Sequence, residues 1–394
     1  MKKKHLLFGI LLLLVSQSLT GQTIVTRDSL IHRYNIMEEN LRRYFLMNDT
    51  AYNFTGGYAW GVASLLQAEV IMYKATLNLT YLDSFGILAD EVVIHRDDRM
   101  GLKDWQGKSG EGWSSRRHWD LKVAKNVDGG LPMRDLVEDA VMCSSLLSFS
   151  EVVMRDSVKL RYLMSKARQY LTEAEAVMKA HIADEWNEKT QHFYLPKGSP
   201  AWSDGVNVPH NYEAQAGSAF IQLNHLTHND YYRRLAQTIA TNLKRDLSVV
   251  GDAYLWYYWG GQGYSGWKKE ENVSVNTVAF SGQKTVEDVG HGSLEVSFIL
   301  DCVHEGIVFK EDDVHLLVNT FDRKINKQTY LAHDVAGNGG SKDEQWTAYR
   351  WLLLIEYDSS MYPVFYKFLY QGAKLPENFG SSYLVASLVK YHQK

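Results

Sequence analysis

The segment 285–298 holds a histidine and two acidic residues within a few positions of one another. Glu287, Asp288 and His291 could transfer protons, because carboxylates and imidazole often act as general acids and bases. Thr285 is a suitable N-cap, which would place both acids in the first turn of a helix and His291 one turn after Glu287. The glycines that flank the histidine weaken the helix but leave room for a ligand. This segment therefore predicts an active site at the start of a helix.

The apolar pattern predicts two kinds of helix that alternate along the chain. Helices of the first kind are apolar nearly all round, as buried helices are, and cover 58–75, 136–154, 211–223, 287–302, 346–355 and 383–391. Helices of the second kind have a charged face and cover 28–47, 158–182, 231–247 and 314–327. This order predicts an all-α fold. We expect an (α/α) toroid of six to seven helical hairpins, with seven favoured, in which each hairpin gives one helix to an inner ring and one to an outer ring.

Loops rich in glycine, aromatic and charged residues precede most of the predicted inner helices. These loops occupy 53–60, 96–134, 202–212, 254–291 and 333–350. In a toroid such loops converge on one face, where they could form a carbohydrate cleft. Residues 95–125 contain eight basic and five acidic residues, a local balance of +3 in a chain of net charge −4. That balance favours an acidic sugar, although a solvated loop of mixed charge would have the same composition.

The first residues have the pattern of a secretory signal peptide. A basic stretch at 2–5 precedes an apolar stretch at 6–15 and small or polar residues at 18–22. The apolar stretch is too short for a comfortable membrane span. We expect cleavage near Gly21, so that 1–21 is the leader and 22–394 forms a single toroid catalytic domain. The mature protein is expected in the periplasm, without stable membrane insertion and as a monomer.

Several classes of function lack support in the sequence. The net charge is −4 and no basic stripe occurs, which argues against nucleic-acid binding. The phosphate-binding, dinucleotide-binding, zinc-protease and serine-hydrolase motifs are absent from the sequence. Cys143 and Cys302 lie in apolar runs without the spacing of a zinc site, and we expect both to be buried free thiols. No cofactor or metal is expected.

Four features together resemble the (α/α)-toroid polysaccharide lyases, most closely polysaccharide lyase family 38 of Bacteroides-type bacteria. They are the toroid order, the export signal, the aromatic run at 254–259 and the Glu-Asp-x-x-His-Gly sequence at 287–292. The resemblance covers most of the mature chain. It implies β-elimination on alginate, poly-mannuronate or glucuronan in an (α/α)7 barrel, without a metal. Removing the C5 proton of a uronate requires a base, a proton donor for the leaving O4 and stabilisation of the enediolate.

The resemblance implies proton transfer by a tyrosine, with Asn, His, Arg or a protonated Glu at the substrate carboxylate. Tyr258 is the first choice for base and acid, and His291 is a second proton-transfer group or the partner of the tyrosine. His210 and Asn211 would neutralise the carboxylate, although Asn211 is equally suited to simple capping. Glu287 would hold the carboxylate when protonated, or orient His291.

A second group of residues is expected to bind the substrate. Guanidinium groups match carboxylates bidentately, and aromatic rings have faces that can stack on sugars. Tyr264 is also the substitute candidate for proton transfer. The group comprises Tyr264, Arg116, Arg117, Trp119, Trp256, Trp259 and Arg350.

Three other functions remain open on the sequence. A glycoside hydrolase of the same architecture, such as an unsaturated uronyl hydrolase, would use two carboxylates about 5–10 Å apart. Glu287, Asp288, Asp135 and Glu138 could supply such a pair. A uronyl C5-epimerase would use nearly the same groups as a lyase and differ only in returning the proton. The third alternative is a glycan-binding protein without catalysis, against which the ionisable residues at the helix starts argue.

Overall fold

The computed structural model describes residues 26–47, 52–120, 125–127, 129–341, 347–367 and 378–392. The predicted leader and its cleavage site lie outside these residues. Thirteen α-helices are described, in chain order: α1 (Arg27–Met47), α2 (Ala63–Thr76), α3 (Thr80–Ile94), α4 (Asp97–Met100), α5 (Leu136–Arg155), α6 (Met164–Glu185), α7 (His210–Thr227), α8 (Asp230–Asp246), α9 (Gly261–Ser265), α10 (Val289–His304), α11 (Glu311–Thr320), α12 (Met361–Phe365) and α13 (Phe379–Tyr391).

Short 3₁₀ and π turns and three small β-hairpins connect or extend these helices. The 3₁₀ segments are Tyr52–Thr55, Arg161–Leu163, Lys269–Glu271 and Tyr349–Glu356, and the π segments are Tyr58–Val62 and Phe321–Ile325. Each hairpin is antiparallel, and Phe193 of the second hairpin is buried against Phe220 of α7. The pairs are β1 (His118–Asp120) with β2 (Lys125–Val127), β3 (Trp186–Asn187) with β4 (His192–Phe193), and β5 (Ser248–Val250) with β6 (Ala253–Leu255).

Six inner elements contact one another in a closed ring: α2, α5, α7, α10, the 3₁₀ segment Tyr349–Glu356 and α13. The last of these returns to pack against α2, which closes the circle. Outside the ring, α6 packs on α5, α8 on α7, α11 on α10 and α1 on α13. The predicted (α/α) toroid is therefore confirmed. The described residues give six inner elements, the lower of the two expected numbers.

Small and polar side chains let the inner helices approach one another closely. Gln215 of α7 donates a hydrogen bond to Ser144 of α5 at 2.9 Å, and Gln67 of α2 donates one to Ser145 at 3.1 Å. Gly217 faces the Phe298 ring of α10 so closely that a Cβ at Gly217 would overlap the ring. Buried amides must find partners, so these bonds join neighbouring members of the ring.

Both cysteines are buried free thiols, as expected from their apolar surroundings. Cys143 lies on α5 and Cys302 on α10, and each is completely buried. Among the described residues, no helix is long and apolar enough to cross a membrane.

The predicted start of α10 is wrong by several residues. Asp288, rather than Thr285, is the N-cap, and the helix begins at Val289. The residues before it are extended, since Val286 forms a β-bridge with Tyr257 and Asp288 forms one with Asp334. A chain that is bonded on both sides in this way cannot also form the first helical turn. Tertiary pairing therefore shifts the helix start, and the histidine takes a different acidic partner.

Candidate functional site

A cavity of about 750 Å³ opens at the end of the ring where the inner helices begin. Its walls come from loops and first helical turns of separate hairpins, because inner helices of a toroid present the same end to one face. The polar and aromatic lining residues are Trp60, Arg117, Asp135, Glu138, Trp202, Ser203, Tyr212, Tyr258, Trp259, Gln283, Thr285, Asp288, His291, His333 and Asp334. The described structure thus places acids, histidines and aromatic rings around one cavity, as the loop composition predicts.

His291 and Asp288 form a dyad at the start of α10. One Asp288 oxygen accepts a hydrogen bond from the His291 backbone N–H at 2.9 Å, and the other is bonded to His291 Nδ1. These bonds hold the pKa of Asp288 below its usual value and raise the pKa of His291, against the opposing effect of burial on each. An ionised carboxylate can only accept, so Nδ1 carries the hydrogen and Nε2 is the nitrogen left for proton transfer.

Tyr258 lies beside this dyad. Its ring meets the His291 ring edge to face, with 5.2 Å between the centroids. Burial and the nearby charges of Glu287 and Asp135 raise the pKa of the Tyr258 hydroxyl well above its ordinary value. The hydroxyl therefore keeps its proton near neutral pH and is a proton donor rather than a ready base.

A second acidic group projects from the start of α5. Asp135 is the N-cap of this helix and accepts a hydrogen bond from the Val137 backbone N–H at 3.1 Å. Glu138 follows one turn later and accepts a bond from the Trp60 indole at 3.0 Å. Burial raises the pKa of Asp135 to about 7 and that of Glu138 to about 8, and Asp135 adds its charge to the effect on Glu138. Both carboxyls can thus carry a proton near neutral pH.

A buried ion cluster supports the first turn of α5 from behind. His181 of α6 bonds to Asp139 through Nε2 at 2.8 Å and to Glu185 through Nδ1 at 2.9 Å. Despite its burial, the two carboxylates raise the pKa of His181 to about 10. Asp139 also accepts a bond from the Trp113 backbone N–H at 3.0 Å, which ties the loop before α5 to the helix.

Four of the predicted site residues line the cavity: Tyr258, His291, Arg117 and Trp259. Trp259 donates its indole hydrogen to Gln283 at 3.0 Å and meets the Trp202 ring edge to face at 6.0 Å. Arg117 is exposed at the rim. These four residues come from two of the predicted loops, with Arg117 in 96–134 and the other three in 254–291.

Three other predicted catalytic residues lie behind the cavity wall. Glu287 is completely buried, and its carboxylate accepts a bond from the Asp288 backbone N–H at 3.0 Å. His210 is buried with Nε2 at 3.4 Å from Asp246, and burial lowers its pKa. Asn211 is completely buried, and neither of its amide atoms has a hydrogen-bond partner among the described residues. Direct contact of these side chains with a substrate stays a prediction.

The remaining predicted binding residues contact protein groups elsewhere. Arg116 lies over the Phe54 ring at 4.8 Å, and Lys284 lies over the Tyr264 ring at 5.3 Å. Trp256 and Arg350 are buried beneath the site, where Trp256 stacks on Trp351 and Arg350 lies against Tyr349 and Tyr383. Trp119 belongs to β1, and its side chain is outside the described part of the structure.

One group of side chains near the cavity could bind a metal ion. Ligand atoms of Glu287, Asp288 and His291 lie within 4.8 Å of one another. Asp288 and His291 are already bonded to each other, so a metal would have to replace that bond. We found no other such group among the described residues.

The sequence does not single out three aromatic residues of the cavity, and it gives the acids of α5 only an alternative role. Trp60 falls where the loop 53–60 overlaps the predicted buried helix 58–75, and Trp202 and Tyr212 are members of the aromatic loop 202–212. Asp135 and Glu138 were considered only as a hydrolase pair. A signal was present, because an acid just before an apolar helix and another one turn later mark a helix start with two carboxyls on one face.

Several solved structures are similar to this chain over nearly their whole length. The unsaturated glucuronyl hydrolase of Bacillus sp. GL1 has a TM-score of 0.55 and 12% identity, covering 92% of this chain and 96% of that one. A D-mannose isomerase has a TM-score of 0.53 and 10% identity over 95% and 100% of the two chains. The GH76A α-1,6-mannanase of Salegentibacter sp. HEL1_6 has a TM-score of 0.52 and 11% identity over 91% and 98%.

These similarities establish the fold, since the three proteins are (α/α) toroids of low sequence identity to this chain. An inactive variant of the mannanase, with two consecutive aspartates changed to asparagine, was solved with α-1,6-mannotriose (TM-score 0.51, 12% identity, 91% and 98% coverage). No family profile and no curated protein sequence matches this chain.

Proposed function

We propose that this protein is a polysaccharide lyase that cleaves a uronate-containing polymer, such as poly-mannuronate or glucuronan, by β-elimination. The observation that carries the proposal is the contact between Tyr258 and His291, with Asp288 bonded to the histidine. It supplies a proton acceptor and a proton donor side by side. Elimination needs both, one for C5 of the uronate and one for the leaving O4.

The reaction balances with these groups alone. His291 Nε2 takes the proton from C5, and the electrons of the C5–H bond form the C4–C5 double bond. The C4–O4 bond breaks, and the Tyr258 hydroxyl gives its proton to the leaving oxygen. The protein ends with a protonated histidine and a tyrosinate, and transfer of a proton between them restores the starting state. Asp288 stabilises the imidazolium.

The acids of α5 support the same chemistry. Ionised acids of α5 would repel a uronate, but the raised pKa values of Asp135, about 7, and Glu138, about 8, leave a large share of both carboxyls protonated at neutral pH. Protonated carboxyls can donate hydrogen bonds to the substrate carboxylate and to the enediolate that develops from it. Arg117 adds positive charge at the rim. We assign these three residues the neutralising role that the sequence gave to His210, Asn211 and Glu287.

The proposed catalytic unit is the single toroid 22–394, exported by its leader to the periplasm. A polymeric substrate outside the cytoplasm would suit an exported enzyme. The cavity, at about 750 Å³, has room for a short run of sugars rather than one alone.

A glycoside hydrolase is the second candidate, and one observation favours it. Glu138 has a raised pKa and Asp288 a lowered one, which is how an acid and a base of a carboxylate mechanism divide their roles. The similar folds of a mannanase and a glucuronyl hydrolase agree with this reading.

Ultraviolet absorbance and reducing-end assays on the same incubations separate the candidates. The substrates are poly-mannuronate, poly-guluronate, glucuronan and α-1,6-mannan. A lyase raises both signals, because each break creates a conjugated double bond on one fragment and a new reducing end on the other. New reducing ends without absorbance would reject the lyase and support the hydrolase. Uptake of deuterium at C5 without chain cleavage would indicate an epimerase.

A further inference from the structure

Trp60 is an exposed tryptophan at the wall of the cavity. It lies in the π turn Tyr58–Val62 before α2, and 45% of its surface is exposed. Its indole N–H donates a hydrogen bond to Glu138 Oε1 at 3.0 Å, which fixes the ring beside the acids of α5. A large apolar face that is exposed in a cavity and fixed at its polar edge is ready to bind a flat apolar surface.

The loop before Trp60 has unusual local structure that places this ring. Gly56 has a φ of +72°, and a Cβ there would lie 3.0 Å from Trp60 Cδ1 and overlap Glu138 Oε1. Asn53 accepts a hydrogen bond from the Tyr58 backbone N–H at 3.3 Å and donates one to the Ser114 carbonyl at 3.1 Å. A glycine adopts a positive φ without strain, and π turns are frequent at functional sites.

Trp202 provides a second aromatic surface in another part of the cavity wall. It precedes α7, whereas Trp60 precedes α2, so the two belong to different hairpins. Trp202 is held by Trp259 and by the Trp267 ring, with which it stacks at 6.4 Å. Aromatic surfaces from separate hairpins, with carboxyls from α5 and α10 in the same cavity, suit a chain of sugar rings.

We propose that Trp60 is a sugar-stacking platform that also positions Glu138, so that binding of one sugar ring and orientation of the neutralising acid depend on the same side chain. The proposal rests on the proposed carbohydrate function of this cavity. It does not require that the reaction be an elimination, since stacking would serve a hydrolase as well.

The charged and hydrogen-bonding groups around Glu138 determine how its pKa would change if the indole N–H of Trp60 were removed. On its own helix, Asp135 and Asp139 raise the pKa of Glu138. From the neighbouring elements, the hydrogen bonds of Trp60 and Ser115 lower it. Removing the N–H but keeping an aromatic ring should therefore raise the pKa of Glu138 and leave stacking in place.

Calorimetric titration of the full chain with trisaccharides of mannuronate and glucuronate and with α-1,6-mannotriose tests the platform. Trp60→Ala should weaken binding of whichever sugar the wild type binds by about tenfold or more, as loss of a central tryptophan does in other interfaces. Trp60→Phe should keep most of the affinity. Tyr44→Ala is the matched control, since Tyr44 is 52% exposed on α1, away from the cavity.

The pH dependence of the same binding tests the link to Glu138. With Trp60→Phe, the fall in affinity for an acidic trisaccharide should move to higher pH than in the wild type. Unchanged affinity in Trp60→Ala would overturn the platform, and an unmoved pH dependence in Trp60→Phe would overturn the link to Glu138.

The outcomes also separate this inference from the proposed reaction. Binding that depends on Trp60, without a rise in absorbance, would reject the lyase and leave the platform standing. Absence of binding of all three sugars to the wild type would overturn the platform itself. Thermal unfolding of each variant is measured as well, and a cooperative transition well above the assay temperature excludes misfolding as the cause.

Discussion

The Asp288 carboxylate makes two hydrogen bonds to His291, one with the His291 backbone N–H at 2.9 Å and one with Nδ1 of the His291 ring. The same carboxylate is therefore the N-cap of α10 and the partner of the proposed base. A helix cap that also orients an imidazole fixes the ring relative to the helix, so the position of Nε2 depends on where α10 begins. This relationship underlies the first prediction.

Replacement of His291 by Ala should lower kcat by about 10²–10⁴-fold, the usual contribution of a general base. His304→Ala is the control, because His304 is at the other end of the same helix and has a side chain 53% exposed. Asp288→Asn should also lower kcat, since an amide cannot stabilise the imidazolium by charge. A His291→Ala enzyme as fast as the wild type would reject the assignment.

Tyr258→Phe should lower kcat by a factor of about 10²–10⁴, because the ring remains but the proton for the leaving oxygen is lost. The substrate Kd should change little. Tyr257→Phe is the matched control, since Tyr257 is the preceding residue and is not part of the cavity lining. Loss of binding with an unchanged rate at saturation would show that Tyr258 holds the substrate and transfers no proton.

Activity should fall as the pH rises through about 7 to 8, where Asp135 and Glu138 lose their protons. Both pKa values are raised, so the protonated forms persist below this range and the ionised forms, which repel a uronate, prevail above it. The measurement is kcat/KM against pH for the wild type and Glu138→Gln. The amide cannot ionise, so the variant should lose the part of the decline that belongs to Glu138. A decline of the same size and position in Glu138→Gln would contradict the role of the protonated Glu138.

His181→Ala should destabilise the fold by about 3–5 kcal/mol, because it removes the charged partner of the completely buried Asp139, which keeps the hydrogen bond from the Trp113 backbone N–H. The raised pKa, about 10 against an ordinary 6.5, means that this stabilisation is full below pH 6.5 and is lost as the pH rises through about 10. Urea unfolding at several pH values measures both effects. An equal loss in His304→Ala would show that the cluster is not the cause.

Treatment with a chelator should leave the rate unchanged, although Glu287, Asp288 and His291 could be metal ligands. The bond between Asp288 and His291 Nδ1 already uses two of the three groups. The test is the rate after dialysis against EDTA, followed by addition of Ca²⁺ or Zn²⁺. A rate that disappears and returns with one of these ions would make the cluster a metal site.

The sequence by itself determined the toroid and the loops that supply most of the cavity lining. Helices that are apolar all round alternate with amphipathic ones. The residues of each inner helix are enough to show that the helix is buried on every side. The cluster around His291 and the exposed Arg117 at the cavity rim could be predicted for a similar reason, because both lie in the loops that precede inner helices.

Only the tertiary structure decided which of these residues meet. Val286 and Asp288 pair with other loops in extended conformation, so α10 starts later than the sequence predicts. As a result His291 bonds to Asp288 rather than to Glu287. Trp60 and Glu138 are 78 positions apart, and their hydrogen bond exists because α2 and α5 are neighbours in the ring. Helical periodicity describes one helix at a time, whereas a cavity made from several helix ends depends on packing, which brings together residues that no local pattern connects.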